Sequence, residues 1–201
     1  MAANSDGEIP GVEQEVAALD TSLKRDLGQL GLRLQIDILR SQEATYDRVE
    51  EELRDGRHHI LHYAGHGRRD TTLPEIGGLI LHCAHKSTTL TAANLSTLVK
   101  GSELRLVFLS CCFGAFSTEP GRGDFHGVFD ALAGADVPAI VGYRWKVSDE
   151  VALTFATSFY QNLWRTLSPG DAVLAARQEC ALKWTLDEPT WASPILLLQS
   201  S

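Results

Sequence analysis

The chain has 201 residues, with 18 Lys plus Arg against 26 Asp plus Glu, a formal net charge of -8, and 44% hydrophobic and 22% charged residues. Such a length supports one domain with a real core, and the composition is that of an ordinary soluble globular protein. No segment is dense in Lys or Arg, which argues against an electrostatic nucleic-acid footprint, and no apolar run reaches the roughly 18 residues of a membrane span.

Residues 1–9 are small and polar and read as a flexible lead-in, leaving 10–201 as the domain. With Asn4, Asp6 and Glu8, this end lacks the basic-then-apolar pattern of a signal peptide. From Val12 to Leu30, apolar Val12, Val16, Leu19, Leu23, Leu27 and Leu30 recur at three and four, predicting an amphipathic helix released at Gly31. Leu32 to Leu39 alternates and fits a strand. Thr45 to Leu53 reads as a second helix, capped by Ser41 or Thr45 and released at Gly56. His58 to Ala64 is a short apolar, aromatic strand stopping at Gly65-His66-Gly67. Arg68 to Ile76 is a charged loop closed by Pro74, and Gly78 to Cys83 a short strand. Thr91, with Leu95 and Leu98 behind it, opens a short helix. Leu104 to Ser110 is a buried strand ending at Cys111-Cys112, and Phe116 to Phe125 reads as a mobile loop. Val128 to Ala133 is helical, Ala139 to Tyr143 a strand, and Glu150 to Leu163 and Ala172 to Leu182 are helices. Ile195 to Leu198 is a last strand. Alternating helices and strands predict a mainly parallel sheet covered on both faces.

The carboxyl ends of parallel strands in an open sheet share one crevice. If the two strands ending at His66 and Cys112 are neighbours, these side chains meet there, as a thiol nucleophile and its base require. Of two adjacent cysteines in extended chain, one faces the crevice and the other packs inward. The amide of Gly67, or that of the cysteine itself, is placed to donate to a developing oxyanion. Cys83 and Cys180 lie inside apolar patterns and read as packing residues, and His58, His59, His82, His85 and His126 as structural or surface histidines. Four cysteines without a framework spacing fit free thiols in a reducing compartment, hence the cytoplasm. The vicinal cysteines, with His82 and His85 three apart around Cys83 and His62 and His66 four apart, raise a metal site, but there is no pair of Cys-x-x-Cys units and no His-Glu-x-x-His helix, so neither metal nor organic cofactor is expected.

Ile60-Leu-His-Tyr-Ala-Gly-His-Gly67 and Leu106-Val-Phe-Leu-Ser-Cys-Cys112 carry a resemblance. They resemble the histidine and cysteine motifs of the CHAT domain, a family of caspase-like cysteine peptidases in the clan of caspases, metacaspases and separase. Gly77-Gly-Leu-Ile-Leu, Leu90-Thr-Ala-Ala-Asn-Leu, Trp145-Lys-Val-Ser-Asp149 and Trp191-Ala-Ser-Pro194 extend it over nearly the whole chain. The resemblance implies a three-layer α/β caspase-like sandwich of about six strands, with His66 as base and Cys112 as nucleophile. It implies a cysteine endopeptidase acting on protein or peptide substrates through an acyl-enzyme. Many such domains follow helical-repeat sensors, so a regulatory partner is expected, with neither nucleic acid nor membrane bound. Family members usually open with a strand, and residues 1–9 are a poor one, which implies a domain from a longer protein or an altered sheet edge. Asp149 and Asp124 are candidate carboxylates for a substrate pocket, although Asp149 also reads as part of a helix cap. A catalytically inactive interaction module of the same fold, or a redox-responsive module built on Cys111-Cys112, is the alternative.

Overall fold

The computed structural model describes residues 10–31, 34–68, 77–83, 88–113, 127–184 and 189–199, with the backbone alone at Pro10, Cys112 and Phe113. In chain order these form α1 (Pro10–Gln29), α2 (Tyr46–Arg54), β1 (Ile60–Arg68), β2 (Gly78–Leu81), β3 (Thr88–Thr91), α3 (Ala92–Val99), β4 (Leu106–Phe113), α4 (Val128–Ala133), β5 (Ala139–Tyr143), α5 (Asp149–Thr166), α6 (Pro169–Lys183) and β6 (Pro194–Leu198). The six strands make one sheet in the order β3-β2-β1-β4-β5-β6. Its centre is parallel, β1 with β4 and β4 with β5, and both margins are antiparallel. The α/β sandwich expected from the sequence is therefore observed, with the parallel pairing confined to the three central strands.

Strand parity sorts the central side chains between two helical layers. Leu61 and Tyr63 of β1 and Val107, Leu109 and Cys111 of β4 join Val49 and Leu53 of α2, Leu95 of α3, and Phe129 and Leu132 of α4. On the other face, Leu106 and Phe108 of β4 and Val141 of β5 pack against Phe155, Phe159 and Leu163 of α5 and Ala172, Val173 and Ala176 of α6. Phe108 is fully buried among Tyr143, Phe155, Phe159 and Tyr160, with ring centroids 5.3 to 6.5 Å away. Removing such a ring costs about 3–5 kcal/mol.

The helices begin where local chemistry satisfies their free amides. Thr45, Thr91, Ser148 and Ser168 are the N-caps of α2, α3, α5 and α6, each side chain accepting a backbone N–H from the first turn. Pro169 follows its cap with a preset φ and no amide to satisfy, and Asp149 and Glu150 place negative charge at the positive end of α5.

Several elements differ from the sequence reading. Of the strand expected over Leu32 to Leu39, residues 32 and 33 lie outside the described residues; 34–38 alternate in burial, yet they form no strand, because no backbone hydrogen bond closes a ladder on them among the described residues. Alternation reports which side faces the core; strand formation also needs a partner edge. β1 and β4 both run past their predicted ends, and their shared ladder continues through Gly65, His66 and Gly67 opposite Cys111, Cys112 and Phe113. β3 has no counterpart in the sequence reading. Its partner β2 begins at Gly78, where a β-carbon would fall onto the Leu90 carbonyl and within 2.8 Å of the Thr91 Cα. Gly78→Ala should therefore disrupt the β2–β3 pair and destabilise the domain by about 3 kcal/mol, the upper end for overpacking, read by urea denaturation. The expected lead-in over residues 1–9 and most of the expected loops at 68–76 and 116–125 lie outside the described residues.

Candidate active site

From β1 the chain moves outward to β2 and β3, then returns on the other side of β1 to make β4. The sheet order therefore reverses between β1 and β4, and the crevice at their carboxyl ends is a topological switch point, where open α/β sheets bind ligands. At that end the parallel register sets His66 directly opposite Cys112. Cys111, one residue earlier, is buried in the opposite layer with Tyr63 and Leu109, so parity assigns position 112 to the face that carries 62, 64 and 66. β4 also outruns its pairing with β5, which ends at Leu109 opposite Gly142. The stretch Ser110 to Phe113 thus projects beyond that neighbour at the crevice.

Backbone position at His66 is fixed from beneath by Tyr63. Its hydroxyl lies 2.7 Å from the His66 carbonyl and 2.8 Å from that of Ile80 in β2, and donates into the gap between them. Only Gly67 and Arg68 of β1 are in register with β2, so this hydroxyl joins the strands below their short ladder. Burial, with the Cys111 thiol adding to it, holds the Tyr63 hydroxyl well above the ordinary tyrosine range, so it remains a proton donor. Tyr63→Phe removes the donor shared by two part-buried carbonyls. It should cost about 1–3 kcal/mol of stability, read by urea denaturation.

A second polar cluster sits one to two rows below the His66–Cys112 pair, on the α1 and α5 side. Glu15 of α1 is 3% exposed. Its Oε1 is 2.9 Å from His62 Nε2, and its Oε2 accepts from the Ser110 hydroxyl at 2.8 Å. His62 Nδ1 is 3.1 Å from the Tyr160 hydroxyl of α5, and the imidazole stacks on Phe108 at 4.8 Å. Burial, followed by the nearby Glu15 charge, holds the Tyr160 hydroxyl well above its usual range. Every group is satisfied when Tyr160 donates to Nδ1 and both Nε2–H and the Ser110 hydroxyl donate to the carboxylate. The sequence reading did not find this cluster. Its signal was present: Glu15 lies three residues after Val12 and four before Leu19, a charge inside the apolar stripe of α1.

The remaining residues singled out from the sequence fall in several places. Cys180 is fully buried, and burial pushes its thiol up to about 11, with Glu179 adding to the rise and Lys183 opposing it. Cys83 is exposed, not packed as its apolar surroundings predicted, because β2 ends at Leu81. Asp149 is the first residue of α5, with Ser148 as the cap; it is exposed and lies against Gly11 of α1, where any β-carbon would collide with it. Asp124, His85 and His126 lie outside the described residues. Among the described residues, Asp37, Glu52 and His58 bring three potential metal ligand atoms within 4.8 Å of one another. Internal pairing accounts for them: Glu52 takes Arg48 at 3.1 Å and His58 at 3.0 Å, and Asp37 takes Gln35 at 3.1 Å.

The family model of the CHAT domain matches residues 2–197, essentially the whole chain. The chain belongs to the CHAT domain family. This family is related to caspase-like cysteine peptidases, and the mixed six-stranded sheet between two helical layers agrees with a caspase-like sandwich. A search of curated proteins gave no match. Among the described residues, no helix of this CHAT domain is long and apolar enough to cross a membrane.

Proposed function

We propose that this CHAT domain is a cysteine endopeptidase whose nucleophile is Cys112 and whose base is His66. The observation that carries the reading is the register pairing of His66 with Cys112 at the switch point of the sheet. In the reaction His66 takes the Cys112 proton, and the thiolate adds to the scissile carbonyl of a protein or peptide substrate. The tetrahedral oxyanion is received by backbone amides, with Gly67 and Cys112 as the donors. Collapse forms the acyl-enzyme as His66 returns the proton to the leaving amine. Water, deprotonated by the same imidazole, then hydrolyses the thioester and restores the thiol. None of these steps calls on a metal or organic cofactor.

Specificity belongs to side chains around the crevice. Asp149, at the sheet end where α5 follows β5, and Asp124 are proposed as carboxylates that receive a basic side chain before the cut. A regulatory partner, such as a helical-repeat sensor, is proposed to control the site, and free thiols support a cytoplasmic setting. The burial of Cys111 weighs against the redox reading, because a sulfur committed to the core is poorly placed to be oxidised together with its neighbour.

Cleavage of a peptide library by the purified chain tests the reading. His66→Ala should lower turnover by at least about 100-fold, the lower range for loss of a general base, with the fold retained. Turnover that survives this substitution would refute the dyad.

A further inference from the structure

The cluster of Glu15, His62, Ser110 and Tyr160 joins four elements, α1, β1, β4 and α5, at one place. Two of them are the strands that carry His66 and Cys112. Ser110 is two residues before Cys112 and His62 four before His66, so the carboxylate that bonds both lies between about 7 and about 13 Å below the dyad row at the usual strand rise. α1 runs down this face: Val12 and Val16 pack on Ala64, directly beneath His66, while Glu15 meets His62 and Ser110.

Stability alone gives no reason for such a group here. The surrounding interface is apolar, and a buried ion or polar pair replaced by well-packed hydrophobic residues is often neutral or stabilising. A satisfied polar network, in contrast, fixes directions and distances that apolar packing leaves looser. Each bond in this one runs between an element carrying part of the dyad and a helix laid across it.

We infer that Glu15, His62, Ser110 and Tyr160 are positioning residues for the dyad, a buried tier that fixes β1 relative to β4 so that His66 reaches the Cys112 sulfur. The inference rests on the dyad reading. None of the four touches substrate. Glu15 acts through its two strand partners, and Tyr160 acts by holding the His62 ring in the orientation that presents Nε2 to the carboxylate.

The test is alkylation of the purified chain by iodoacetamide at pH 6 and pH 9, quantified cysteine by cysteine by mass spectrometry. At pH 6 an unassisted thiol is almost wholly protonated, whereas one paired with an imidazole reacts as thiolate; at pH 9 either is largely ionised. Tyr160→Phe, Ser110→Ala and the double variant Glu15→Met with His62→Leu are compared with wild type and His66→Ala. Tyr160→Phe and the double variant should slow Cys112 alkylation at pH 6 by about tenfold, within what small misplacements do to reacting groups. The pH 9 rate should stay within about twofold, as an unassisted thiol near pKa 8.5 requires, and exposed Cys83 should be unchanged throughout. A purely structural role would alter the melting temperature and leave the pH 6 to pH 9 ratio as in wild type, and that result overturns the inference. If the double variant does not fold, Tyr160→Phe and Ser110→Ala decide the matter in the same way. Failure of the dyad itself is distinguishable: Cys112 of wild type would then react at pH 6 no faster than in His66→Ala, and the inference would fall with it.

Discussion

Cys112→Ala should abolish peptide cleavage, while Cys111→Ala should leave most of it. The two residues are chemically identical and adjacent, so the contrast tests placement alone. Cys111 is 4% exposed and packed among Tyr63, Leu109 and other core residues of the α2–α4 layer, opposite Gly65 in the ladder. Truncation there removes one sulfur from a small buried side chain and should cost about 1 kcal/mol, the usual size of a modest core deletion. Cys112 pairs with His66. Its substitution removes the nucleophile, and turnover should fall by the roughly 10⁴-fold or more typical of a lost covalent group. Circular dichroism and melting curves on both variants make the comparison fair. Equal inactivation with unchanged melting would show that the attacking thiol is not fixed by strand parity, and the assignment would fail.

Legibility in the sequence followed the range of the interaction involved. Where an element is specified by its own residues, the reading matched closely: α4 spans Val128–Ala133 and β5 Ala139–Tyr143, as their apolar runs predicted. α1 begins two residues earlier and ends one residue earlier than its leucine stripe. Where a partner decides, the reading fell short. Gly65 and Gly67 looked like strand breakers, but β4 supplies hydrogen bonds that carry β1 through them. β3, mostly threonine, is recognisable only beside Gly78 and β2. At the site, the motif ends at His66 and Cys112 could be read, because glycines and cysteines interrupt apolar runs there. Their supporting groups could not, since Glu15, Ser110 and Tyr160 come from three elements, and the bonds that join them to one another or to His62 span up to 98 positions. Glu15 was visible only as a charge on the wrong side of an amphipathic helix.

That charge leads to the largest expected effect on stability. His62→Ala should destabilise the domain by about 3–5 kcal/mol, the usual range when the loss of one partner leaves a buried charge uncompensated. The imidazole is the contact of both Glu15 Oε1 and the Tyr160 hydroxyl, and its loss strands a carboxylate that is 3% exposed beneath α1. For a chain of this size, each kcal/mol lowers the melting temperature by about 2–4 °C, so the loss should be about 10 °C. Removing both partners should behave differently. With Glu15→Met and His62→Leu together no charge remains to be buried, and unfolding in urea should return to within about 1 kcal/mol of wild type or exceed it. His66→Ala supplies the contrast along the same strand face. His66 is half-buried and no carboxylate depends on it among the bonds described, so its loss should take activity and leave the melting curve nearly in place. A His62→Ala variant as stable as wild type would mean that Glu15 has found water or another partner, and α1 would then be held to the sheet by its apolar stripe alone.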